Sequence, residues 1–91
     1  MSRDTEDVLE RRYHDLYAAH HAELLERRRT DPNFTVDDVR RFLKDAYLRQ
    51  DNDWMGHGVL FHVTQGAIIA AYEAILAEWE AELQRERDRN Q

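Results

Sequence analysis

Apolar and aromatic residues recur at steps of three and four along most of this chain, the spacing that places side chains on one face of an α-helix. The first series predicts a helix over about residues 5–29. Thr30-Asp31-Pro32-Asn33 ends it, because a proline disfavours helical geometry at the residue before it. Its inward face consists of Leu9, Tyr13, Leu16, Tyr17, His20 and Leu24.

A second, shorter helix is predicted over about residues 35–50. Thr35 is placed to accept a hydrogen bond from the first turn, and Asp38 three residues later completes a variant of the capping box. Phe34, just before the cap, is spaced to pack on Val39 as a hydrophobic staple. The rest of this apolar face is Phe42, Leu43, Ala46 and Tyr47.

The third predicted helix, over about residues 56–87, has apolar residues on two sides, and residues 88–91 are expected to fray. One side carries large residues: Ile68, Tyr72, Ile75 and Trp79, extended by Trp54, Phe61 and Leu83. The other side, here called the small-residue stripe, has heptad-like spacing and consists of Val63, Ala67, Ala70, Ala74, Ala77 and Ala81.

Two apolar sides on one helix predict a homodimer, since a surface helix of a monomer needs only one. A second helix half as long cannot cover a stripe of roughly 45 Å. We expect the small-residue stripe to meet a second copy, joined by Ile69 and Leu76. Two alternatives stay open: the large residues lie at the junction instead, or the first two helices cover one side each.

The predicted fold is therefore all-α, a single domain over residues 1–91. Its three helices are long, short and long, and each packs antiparallel to the next in the chain. A homodimer completes the helical bundle. A monomeric core is thin in a chain of 91 residues, which also favours association.

Composition narrows the function classes. The formal net charge of −6 argues against a general affinity for nucleic acid or for an anionic membrane, and no specific nucleic acid is expected as a partner. With no cysteine, disulfides and thiolate metal sites are excluded. The charged first residues resemble no signal peptide, and the most apolar stretch, residues 59–77, carries His62, Gln65 and Glu73. We therefore expect a cytoplasmic chain with no membrane span.

Candidate chemistry is sparse. Asp51-Asn52-Asp53 opens like a calcium loop, but Met55 and His62 stand where calcium needs oxygen ligands. The histidine spacing matches no established metal motif, so neither metal nor cofactor is predicted. The residues that can line a ligand site at a subunit junction are Trp54, His57, His62 and Tyr72.

These observations predict a small homo-oligomeric interaction module that binds itself and, alternatively, another protein. The second hypothesis is a small enzyme or ligand-binding protein whose site lies at the subunit junction around Trp54, His57 and His62. An enzyme is the less favoured of the two, because no nucleophile with its base and no paired carboxylates stand out.

Overall fold

The structure, a computed structural model, describes residues 3–52 and 58–90, and its side chains from Asp7 to Gln50 and from Gly58 to Asn90. It contains three α-helices: α1 (Arg3–Thr30), α2 (Val36–Asn52) and α3 (Val59–Arg89). The all-α class and the order long, short, long are confirmed. The end of α3 is helical to Arg89, two residues beyond the predicted boundary, and α3 starts after Gly58 rather than at residue 56.

The turn between α1 and α2 forms as its sequence indicates. The amide of Asn33 donates to the Asp31 carboxylate at 2.9 Å. The amide of Asp38 donates to Thr35 Oγ1 at 3.3 Å, and the amide of Thr35 donates back to Asp38 Oδ2 at 2.9 Å. The predicted capping box is thus confirmed, and both Phe34 and Val39 are buried in one cluster, as the hydrophobic staple requires.

Contacts between elements fix the direction of each helix. Later residues along α2 contact earlier residues of α3: the Phe34 ring, just before α2, lies 5.8 Å from that of Trp79, and the Phe42 ring lies 6.1 Å from that of Tyr72. Later residues along α1 contact later residues of α3: His21 contacts Glu78, and Arg28 contacts Glu82. Consecutive helices are therefore antiparallel, as predicted, and α1 runs parallel to α3.

The core lies between the turn and the middle of α3, in an elongated molecule of 55 × 27 × 23 Å. Its two deepest large side chains are Ile75, which is 1% exposed, and Val39, which is fully covered. A second, smaller cluster joins α2 to α3. The buried residues are Leu24, Phe34, Val39, Leu43, Ala46, Ala67, Ile69, Ala71 and Ile75.

Arginine side chains close the edges of this core. The Arg27 guanidinium lies 4.5 Å from the centre of the Phe34 ring, and that of Arg28 lies 4.3 Å from the Trp79 ring. Such cation–π contacts let a charged group cover an aromatic face while its nitrogens stay in water. Glu82 pairs with Arg28, so the same arginine also ties α1 to the last turns of α3.

Candidate interaction surface

The four residues of the predicted ligand site are not gathered by the described part of the chain. Trp54 and His57 lie outside the described residues. His62 is exposed, whereas Tyr72 is half-buried and packs against both core clusters. The ten-residue separation of His62 and Tyr72 on α3 corresponds to roughly 15 Å along the helix axis. Within one chain these two side chains therefore lie apart, and a ligand site at a subunit junction stays a prediction.

Two histidines of α1 contact neighbouring side chains. The His21 ring stacks on Tyr17 and lies 3.3 Å from a Glu78 carboxylate oxygen. His20 lies 3.8 Å from Glu23. Within residues 3–52 and 58–90, no three histidine or acidic side chains converge as metal ligands would. That the chain binds no metal or cofactor stays a prediction.

The small-residue stripe of α3 is divided by the fold. Ala67 is fully covered, and Ile69 is buried against Leu43 and Ala46 of α2, so neither reaches a partner directly. Of the other residues predicted for the dimer interface, some are half-buried and two are exposed. Val63, Ala70, Ala74 and Leu76 are half-buried, and Ala77 and Ala81 are exposed.

The position of α1 explains this division. A Cβ built on Gly66 would lie 3.7 Å from the Tyr13 ring, and α1 also contacts Glu78 and Glu82 farther along α3. Residues at three- and four-residue steps between those contacts lie on the same side of α3. The first half of the stripe is therefore turned toward α1, where small side chains permit close helix packing. A role of the remaining residues of the stripe in dimerisation stays a prediction.

Apolar surface is concentrated at the end of the bundle away from the core. From Asp7 to Glu23 no side chain of α1 is fully buried, although this half of the helix carries several large apolar residues. Val8 is 61% exposed, Val59 57% and Leu48 51%. These residues, with Leu60, lie at the start of α1, the end of α2 and the start of α3. We call this region the apolar end.

The outer face of α1 continues from the apolar end along the helix and was missed by the sequence reasoning. It is the side opposite the buried Leu24, and its members follow the spacing three, four, three, four. They are the exposed residues Val8, Arg11, Asp15, Ala18 and Ala22. An open cavity of about 290 Å³ lies beside Val8, Arg11, Arg12, Asp15 and Leu16. The signal in the sequence was Val8, which does not fit the inward series that starts at Leu9.

Arginines near the core differ from those on the outer face of α1. Arg40 bridges Asp37 at 2.5 Å and Glu80 at 3.1 Å. Each of the other arginines around the turn has an acidic partner, as the pairs Arg27–Asp31, Arg28–Glu82, Arg29–Glu26 and Arg41–Asp38 show. Among the described residues, by contrast, none forms an ion pair with Arg11, Arg12 or Asp15.

Among the residues that the structure describes, three side chains have shifted pKa values, all on α2. The backbone hydrogen bond from Thr35 lowers the pKa of Asp38, with Arg41 contributing. The hydrogen bonds to Asp37 and Glu80 raise the pKa of Arg40. Partial burial and a hydrogen bond to Glu73 raise the pKa of Tyr47. None lies in a cleft, so these shifts report helix capping and pairing rather than catalysis.

In length and composition, α3 is apolar enough to cross a membrane. Its most apolar 18-residue window is 22% buried within the chain. Core helices of soluble proteins satisfy the same criterion, so this property does not decide between water and bilayer.

Comparisons with protein-family models, with curated proteins and with solved structures give no match to this chain.

Proposed function

We propose that this chain is a helical self-association module, a small cytoplasmic protein that works as a homo-oligomer. The observation that carries the proposal is the apolar end. The chain leaves Val8, Leu48 and Val59 more than half exposed at this end of its bundle. It gains free energy when a partner removes them from water.

The polar contacts of α3 support a location in water. Glu78 and Glu82 pair with side chains of α1, and Glu80 pairs with Arg40 of α2. Glu73 is exposed in the middle of the helix. A bilayer around the most apolar part of α3 would force Glu73 into hydrocarbon. It would also separate α3 from α1 and α2 or draw the charges of those helices into the bilayer, at a high cost.

The arginines around the turn give no support to a nucleic-acid function. Each of them is neutralised by a carboxylate of the same chain, and phosphate would have to displace those partners. Binding that depends on neutralising phosphates needs free cations. The proposal therefore concerns protein partners.

Sedimentation equilibrium of the detergent-free protein tests this function. We expect a concentration-dependent mass that rises from the chain mass of 10.9 kDa to twice that value. A single species at the chain mass across the whole range would contradict self-association.

A further inference from the structure

We propose that the outer face of α1 is the surface on which a second copy of this chain binds, with the two α1 helices antiparallel about a two-fold axis. The inference rests on the proposed self-association and specifies its site and its register. In this arrangement Arg11 of each copy lies opposite Asp15 of the other, and Val8 lies opposite Ala18.

The pattern of the face carries the inference, because it is complementary to its own reverse. From Val8 to Ala18 the exposed residues are apolar, cationic, anionic and apolar, at steps of three, four and three. Read backwards, the steps are the same and the two charges exchange places. A two-fold axis between Arg11 and Asp15 therefore matches apolar with apolar and cation with anion, which an isologous interface requires.

The state of these charges in the single chain supports the same conclusion. Arg11 and Asp15 are exposed, and no described residue forms an ion pair with either. The arginines near the turn have partners within the chain. Charges left unpaired by the described residues, beside an apolar side chain that is 61% exposed, are available to a partner.

An alternative register is disfavoured by the same charges. Sliding the second helix until Val8 meets the exposed Leu25 would bury slightly more apolar surface. It would also place Arg11 opposite Ala22 and Asp15 opposite Ala18. Removing an unpaired charge from water costs more free energy than burial of the extra apolar surface provides.

Small side chains make the contact geometrically possible. Ala18 and Ala22 on the face, with Ala19 at its margin, are all exposed and let the two backbones approach closely. An antiparallel pair centred between Arg11 and Asp15 overlaps over about 20 residues, which is roughly 30 Å of helix. The contact is modest in area, so we expect dissociation at micromolar concentrations.

Charge exchange between two variants tests the register. Arg11→Glu places a carboxylate opposite Asp15 of the other copy, and Asp15→Arg places a guanidinium opposite Arg11 of the other copy. Each variant alone should dissociate at least tenfold more readily than the wild type, because like charges meet twice across the axis. An equimolar mixture of the two should form a heterodimer, since both facing pairs are then of opposite sign. The introduced carboxylate faces the introduced guanidinium, and the remaining Asp15 faces the remaining Arg11.

Sedimentation equilibrium and native mass spectrometry of the variants and their mixture provide the measurement. Arg85→Glu, at an exposed arginine on α3, is the matched control for the change in net charge of Arg11→Glu and should dimerise like the wild type. Circular dichroism checks that each variant is folded; if one variant is not, the other alone must still dissociate more readily.

The outcomes separate this inference from the proposed function. A dimeric wild type whose affinity is unchanged in both variants, or a mixture with no preference for the heterodimer, would overturn the α1 register while leaving self-association intact. A wild type that stays monomeric would overturn both self-association and the α1 register. The partner of the outer face of α1 would then be a protein of different sequence.

Discussion

Replacing Ile75 with alanine tests whether the core lies where the packing places it. Ile75 is 1% exposed and contacts residues from α1, the turn and α2 within one cluster. The substitution removes three carbon atoms, which corresponds to about 2.4 kcal/mol of transfer free energy. The cavity left among neighbours held by three separate elements adds to this, so we expect a loss of about 3–4 kcal/mol.

Such a loss is large for a chain of this size, whose free energy of unfolding is expected to be about 5–14 kcal/mol. With a urea dependence of about 1.5 kcal/mol per M, the midpoint should fall by about 2 M. Helical circular dichroism at a fixed protein concentration measures it, because dimerisation would otherwise contribute.

Leu25→Ala is the matched control for Ile75→Ala. It also removes three carbon atoms from a helix, but Leu25 is 42% exposed on the outer side of α1. We expect it to cost less than about 1 kcal/mol. Equal losses in the two variants, or a midpoint unchanged by Ile75→Ala, would refute the assignment of the core to this cluster.

The capping box and the α1–α3 contact give three more predictions. Thr35→Ala should cost about 1 kcal/mol in chemical denaturation by removing the bond to the Asp38 amide, while Thr35→Ser should cost much less; equal losses would mean that this bond contributes nothing. Because the pKa of Asp38 is lowered from 3.8 in the folded chain, its contribution is present above about that pH and is lost as pH falls through the lowered pKa. Asp38→Asn should therefore lower the midpoint at pH 7 and converge with the wild type in acid, and a constant difference across pH would argue against this linkage. Replacing both Ala70 and Ala74 with glutamate should reduce helix content even in dilute, monomeric protein, because both are half-buried on the side of α3 turned toward α1. A variant that stays fully helical and loses only its dimer would show instead that the small-residue stripe forms the interface.

The helices and their order follow from local signals in the sequence. Pro32 ends α1, and the Thr35–Asp38 pair starts α2, because both act within a few residues of themselves. The large-residue side of α3 also lies where its spacing predicts, since Ile75 and Trp79 belong to the main core.

The division of the small-residue stripe required the tertiary structure. Ala67 and Ala81 belong to the same heptad-like series, yet Ala67 is fully covered and Ala81 is exposed. The path of α1 across α3 decides which alanine is covered, and no local pattern specifies that path. The self-complementary face of α1 is visible only when the buried side of that helix is known, which is why the sequence pattern alone did not single out Val8 and Arg11.

The mass of the wild-type protein in solution tests the central claim most directly. Light scattering coupled to size exclusion, repeated from about 1 µM to about 300 µM, spans the range in which small interfaces dissociate. Self-association predicts a mass that rises toward twice 10.9 kDa. A mass that stays at 10.9 kDa at every concentration would contradict it.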